Sequence, residues 1–182
     1  MPLPVTACQA SRRLLQHSQG GSDISQLIHT LHPLQSAPLA LLDATLGQPH
    51  TVGKTPAGHR KIVPVLGGSL KGERLSGRIL TGGSDWAVVN ASGMLELNVR
   101  LVIETHDGAL INCEYHGVRH GSKEAMARLS AGEYVDYRDM YFRIAPRFDT
   151  ADSRYQWLNG MLTIGVGERL PEGPRYHIHE IC

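Results

Sequence analysis

Between Leu95 and Ile103 the chain alternates. Leu95, Leu97, Val99, Leu101 and Ile103 fall on one parity, and Glu96, Asn98, Arg100 and Glu104 on the other. A period of two is the signature of a strand with two chemically distinct faces. His106-Asp107-Gly108 then closes a hairpin, since Asp-Gly accepts positive φ, and Ala109 to Gly117 is the return strand. The same rhythm marks strands over Leu39–Leu46, Arg60–Leu66, Arg74–Leu80, Asp85–Val89, Met140–Ala145, Met161–Glu168 and Tyr176–Ile181. Gly53 to Gly58 reads as a loop, Asn90 to Gly93 as a turn, and Ser122 to Leu129 as a short helix capped by Ser122. With 20 Gly and 10 Pro, many short elements are favoured over a few long ones. Parallel βαβ units need helices between strands, and these are mostly absent. The expected fold is all-β: a single antiparallel β-barrel of about 8–10 strands with one or two short helices.

Composition divides the chain. All ten aromatic residues lie at or after Trp86, and residues 1–36 hold one acidic residue, Asp23. Residues 1–36 are therefore read as an appendage, disordered or forming one short helix, and 37–182 as the barrel domain. Within the appendage Ile24, Leu27, Ile28 and Leu31 share one helical face. The charge balance, 18 basic against 17 acidic residues, argues against nucleic acid or a membrane surface as partner. The longest apolar run, Leu39 to Leu42, cannot span a bilayer. Three scattered cysteines form neither a disulfide framework nor a zinc spacing. With no signal-peptide pattern at the start, a cytoplasmic location is expected.

Several segments combine in order: Pro64-Val65-Leu66-Gly67-Gly68, Gly82-Gly83-Ser84-Asp85-Trp86, Leu97-Asn98-Val99-Arg100 and Thr105-His106-Asp107-Gly108. Gly117-Val118-Arg119, Tyr141-Phe142-Arg143-Ile144-Ala145-Pro146-Arg147-Phe148, Tyr155-Gln156-Trp157-Leu158-Asn159 and Gly165-Val166-Gly167 follow. No single piece is specific, but the series over about residues 38–181 resembles the DUF3237 family, also called UPF0311. The resemblance implies a single-domain antiparallel β-barrel. Some fungal relatives are linked to ring closure by adding a hydroxyl across a double bond without a redox cofactor. The chain departs from the family pattern at Ser92-Gly93, where Asp-Gly is usual. It departs again at Asn98, where the usual Asp-x-Arg begins, and at Asp149 and Ala151, where Phe-Glu-Thr-Gly is usual.

The candidate catalytic pair is Asp85 and Arg100. Asp85 follows two glycines that free the chain to turn inward, where apolar surroundings would raise its pKa for acid–base work; alternatively it caps a turn or pairs with an Arg, with Trp86 as core. Arg100 shares a strand face with Asn98 and Glu104. That face is a solvated exterior by period-two logic, or an inward one if the family resemblance places Arg100 inside, where Asp85 or Glu104 would neutralise it. Candidate substrate-binding residues are Trp86, Asn98, Glu104, Tyr141, Arg143, Trp157 and Asn159, with Trp86, Tyr141 and Trp157 as apolar walls. Arg119 and Arg147 lie on neighbouring segments and fit structural carboxylate pairs as well as a binding role. Tyr155, Trp157 and Asn159 read as a cavity floor or as a core plug. His177 and His179 share a strand face, but the chain offers no wider ligand motif, so no metal is expected. No cofactor is expected either: Gly-rich phosphate loops and dinucleotide fingerprints are missing.

The function expected is small-molecule binding by the barrel, with a cofactor-independent lyase, hydratase or cyclase working by proton transfer. The alternatives are a non-catalytic carrier or sensor using the same pocket, and a structural subunit with a filled interior. The partners expected are a small-molecule ligand or substrate, and further copies of the chain as a homodimer or higher homo-oligomer.

Overall fold

The computed structural model describes residues 32–182. The helical face at Ile24, Leu27, Ile28 and Leu31 lies outside the described residues. Eleven strands form one antiparallel sheet that closes on itself. They are β1 (Ser36–Leu46), β2 (His50–Thr55), β3 (Gly58–Lys71), β4 (Gly77–Ile79), β5 (Gly83–Asp85) and β6 (Val88–Val89). Then come β7 (Leu95–Thr105), β8 (Leu110–Gly121), β9 (Met140–Asp149), β10 (Thr163–Arg169) and β11 (Pro174–Ile181). Around the barrel the order is β1, β3, the segmented edge β4/β5/β6, β7, β8, β9, β10 and β11, which returns to β1. That is a closed barrel of eight strand positions.

Closure depends on a bend in β3. Thr45 pairs with Gly67 but Leu46 pairs with Val65, so one extra residue bulges out of β3. Gly68, at φ +143, is required there, because a Cβ would sit 2.0 Å from the Asp43 carbonyl oxygen. Leu66 is the bulged residue, and the glycine pair after it keeps its pairing with Thr45 and Ala44.

The interior follows the alternation. Leu97, Val99, Leu101 and Ile103 of β7, Ile111, Cys113 and Tyr115 of β8, and Phe142, Ile144 and Phe148 of β9 are all buried. Gly165 and Gly167 on the inner face of β10 make room for this filling. A Cβ on either would lie 2.6 Å from Ile144 or Phe142. Helix α1 (Lys123–Ser130) follows β8, and the Ser122 hydroxyl caps it by accepting from the Ala125 amide at 3.1 Å.

The expected strand Asp85–Val89 is split between β5 and β6, and two further strand expectations change. Gly53–Thr55 belongs to β2, which pairs with the first half of β3 around a turn at Pro56-Ala57. Four of the six β2 residues are exposed, so backbone pairing holds the strand and no apolar pattern announces it. Of Arg74–Leu80 only Gly77–Ile79 pairs as a strand, because Leu75 turns into the core and Arg74 reaches Glu180.

Candidate functional site

Asp85 sits where the barrel wall breaks. The edge strand pairing with β7 stops at Asp85 and resumes at Val88. Within the gap the Trp86 amide donates to the Asn98 carbonyl at 2.9 Å, while the Asn98 amide donates to Asp85 Oδ1 at 3.1 Å. The carboxylate therefore completes a backbone ladder that would otherwise lose an acceptor. It is buried, 8% exposed. Desolvation pushes its pKa up to about 6, against the Asn98 amide and the Arg119 charge, which pull it down.

Four further polar side chains share that half of the barrel. Tyr115 and Arg119 stand on the inner parity of β8, Arg169 on that of β10 and Tyr176 on that of β11. The field of Asp85 reaches Tyr115, Arg119 and Tyr176. The rings pack edge to face: Tyr115 and Tyr176 centroids are 5.5 Å apart, Phe142 and Tyr176 5.2 Å. The Arg119 guanidinium lies 5.5 Å over the Phe142 ring. Burial pushes both tyrosine hydroxyls upward, so they are neutral donors at physiological pH. Two buried atoms lack a hydrogen-bond partner among the described residues: Arg119 Nε and the Tyr176 hydroxyl. The two tyrosine hydroxyls lie near enough to act on one another as hydrogen-bonding neighbours, raising Tyr115 and lowering Tyr176, but short of full bonding geometry.

The sequence candidates divide between the two sides of the wall. Arg100 faces outward, its side chain 59% exposed, and pairs with Glu114 at 3.5 Å. The expected Asp85–Arg100 pair is therefore not formed: the apolar parity of β7 fills the interior, and Arg119 is the cation that faces Asp85. Glu104 is also on the outer wall, bonded to Arg78 Nε at 2.6 Å. Trp86 points opposite to Asp85 and is 42% exposed. Trp86, Asn98 and Arg143 do meet, in an outer groove of about 590 Å³ shared with Arg60, His116 and Ile164. Tyr141 lies beside that groove, with the Arg143 guanidinium 4.9 Å over its ring and His120 stacked at 5.1 Å. Arg143 Nη1 donates to the Phe142 carbonyl at 2.9 Å. Asn98 being exterior, its replacement of the family's Asp removes no carboxylate from the lumen.

Trp157 and Asn159 belong to the opposite end. Tyr155 and Leu158 plug the barrel there, and Trp157 packs against the core under the Arg74 guanidinium, 4.6 Å from the ring centroid. Asn159 bonds the backbone of Thr150 through both its amide oxygen and nitrogen. Of the two readings of this segment, the plug is the one observed. Arg147 is exterior and reaches only the Asn159 carbonyl, at 3.5 Å. His177 and His179 lie on the outer parity of β11, and His177 bonds Glu168 at 2.7 Å. Among the described residues no three His, Cys, Asp or Glu side chains gather as a metal would need. No helix among them is long and apolar enough to cross a membrane.

Comparison with known proteins places the chain. Residues 35–181 match the family described as "Protein of unknown function (DUF3237)". A UPF0311 protein of Rhodopseudomonas palustris strain TIE-1 is 36% identical over 140 residues, 77% of this chain and 92% of the relative. One from Clostridium acetobutylicum is 32% identical over 138 residues, 75% of this chain and 87% of the relative. The crystal structure of a conserved Rhodopseudomonas palustris protein superposes with a TM-score of 0.79 at 33% identity, covering 84% of this chain and all of the other. A β-barrel-like protein from Acinetobacter baumannii superposes at 0.74 and 36% identity, covering 85% and 99%. A structure titled as an enzyme from Penicillium herquei shares the fold at a TM-score of 0.64 and 20% identity, covering 84% and 97%. With matching strands, closure and sequence over nearly the whole barrel, this chain belongs to the DUF3237 (UPF0311) family.

Proposed function

We propose that the barrel binds a small organic metabolite in its lumen and moves a proton at Asp85, as a cofactor-independent lyase, hydratase or cyclase. The observation that carries this reading is a buried carboxyl held near pKa 6 beside two buried polar atoms with no partner, Arg119 Nε and the Tyr176 hydroxyl. Proteins rarely leave such atoms unsatisfied, because each costs about 1–3 kcal/mol. A ligand oxygen would complete both. A carboxyl titrating near 6 is populated in both forms around neutral pH, the condition for general acid–base work. It can take the proton from a substrate hydroxyl and return it to carbon. In an intramolecular addition the O–H bond and the C=C π bond break, C–O and C–H bonds form, and the electron count closes without an oxidant or reductant. Arg119 and Tyr176 are placed to donate hydrogen bonds to charge that develops on oxygen.

The test is isotopic. The protein is incubated with a bacterial metabolite extract in deuterium oxide, beside the Asp85→Asn variant. New products carrying one carbon-bound deuterium, formed by the wild type alone, support proton transfer. Retention of a metabolite by both proteins, with no labelled product, would assign the barrel to a carrier or sensor instead. No labelled product and no retained metabolite would reject the lumen as a ligand site.

A further inference from the structure

The charges in the lumen do not balance. Arg119 and Arg169 both stand on inner strand positions, and Asp85 is the carboxylate whose field reaches Arg119. Neither arginine forms an ion pair within 4.0 Å among the described residues; Arg169 donates instead to the carbonyl of its own neighbour, Leu170. Glu172 attracts Arg169 from the β10–β11 turn, but without contact. The two guanidiniums repel one another, and burial disfavours the charge on both. Two confined cations facing one carboxylate are costly unless a further negative charge joins them. The Tyr176 hydroxyl, unpartnered and fully buried, feels both arginines and adds a third donor. Tyr115, Phe142 and Tyr176 pack their rings edge to face beside these groups. A cleft of about 130 Å³ between Gly132–Tyr134 and Arg169–Pro171 opens onto Arg169 from outside.

We infer that the lumen ligand carries an anionic oxygen, a carboxylate or an enolate-type oxygen, held between Arg119, Arg169 and the Tyr176 hydroxyl. This rests on the lumen site proposed above and adds the charge of what enters it. A guanidinium fork suits a planar acidic group, and charge-assisted bonds are about twice as strong as neutral ones. With Asp85 ionised, a bound monoanion brings the lumen to neutrality.

Carboxylates matched in shape to neutral amides provide the probe: acetate with acetamide, benzoate with benzamide, phenylacetate with phenylacetamide. Each is titrated into the full chain while the arginine Nε–H resonances are followed by NMR. The best carboxylate should bind at least about tenfold more tightly than its amide and shift the Arg119 Nε–H signal. Arg119→Gln and Arg169→Gln should each erase that preference, while Arg100→Gln on the outer wall should keep it. The Nε–H shift is read on the unaltered chain, so the test survives a variant that fails to fold. A preference that persists in both lumen variants would overturn the inference. Equal binding of acid and amide would overturn it too, leaving the lumen as a site for a neutral ligand if the Arg119 signal still moves. If no pair perturbs any lumen signal, the lumen reading falls and the inference falls with it.

Discussion

The two ends of this barrel handle buried polar groups in opposite ways. At the plugged end they are matched. Buried Tyr155 and Thr105 donate through their hydroxyls to Oδ1 of the exposed Asp107, at 3.0 and 2.5 Å, and the exposed Arg154 Nη1 reaches Asp107 Oδ2 at 2.8 Å. Glu180, buried, takes Arg74 Nη2 at 2.5 Å. At the other end Asp85 accepts from the Asn98 amide and Arg169 donates to the Leu170 carbonyl, but Arg119 Nε and the Tyr176 hydroxyl stay open. One chain thus built both a satisfied and an unsatisfied interior. The difference shows that the open bonds are not a general failing of the core, and it localises the stored cost to the half where a ligand would collect it.

The largest break in the comparison should come from the plug. Leu158 is fully buried, and Leu158→Ala should lower unfolding free energy by about 2–5 kcal/mol in urea titration. A loss under 1 kcal/mol would mean that the plug is not part of the stable barrel.

Asp85→Asn should act in the opposite direction. Because the folded pKa of about 6 lies above the ordinary 3.8, the native state binds the proton more tightly than the unfolded chain. Stability conferred by that proton is present below about pH 4 and is lost as pH rises through 6, about 3 kcal/mol in all. The amide keeps an acceptor for the Asn98 N–H and carries no charge. The variant should therefore match the wild type near pH 4, exceed it by up to about 3 kcal/mol at pH 8, and flatten the pH dependence between. Equal slopes in the two proteins would show that Asp85 is not desolvated.

The smallest and sharpest contrast uses one atom at each end. Tyr155→Phe removes a donor that Asp107 uses and should cost about 1–2 kcal/mol. Tyr176→Phe removes a hydroxyl that has no partner, so it should be neutral or stabilising by about 1 kcal/mol in the ligand-free protein. If both lose stability equally, the ends do not differ in the way described.

Much of the frame was readable in the chain. The β7 alternation, the Asp-Gly hairpin and the Ser122 cap each act through local geometry, so each appears where the residues predict. The inward turn of Asp85 was also legible: Gly83 must lack a side chain, since a Cβ would meet the Arg100 carbonyl oxygen at 2.6 Å. The partner of Asp85 was not. Arg100 is conspicuous in sequence but shares parity with Glu96 and Asn98, whereas Arg119 shares parity with Ile111, Cys113 and Tyr115. An arginine in phase with an apolar face was the signal available. Tyr176, in phase with Ile178, was overshadowed by the two histidines on the other parity. Arg169 lies at a strand end, and only barrel curvature brings it toward the others.

The seam between β1 and β11 has a consequence for synthesis. Ser36 pairs with Ile181, joining nearly the two extremes of the described chain, and β1 also pairs with β3. As the polypeptide emerges from the ribosome, β3 and the hairpins after it can zip up one after another. The free side of β1 must wait until residues 174–181 arrive. Until then the nascent sheet carries two open edges, able to pair with a neighbouring chain. The last eight-residue strand is therefore the step that converts an adhesive sheet into a sealed cylinder.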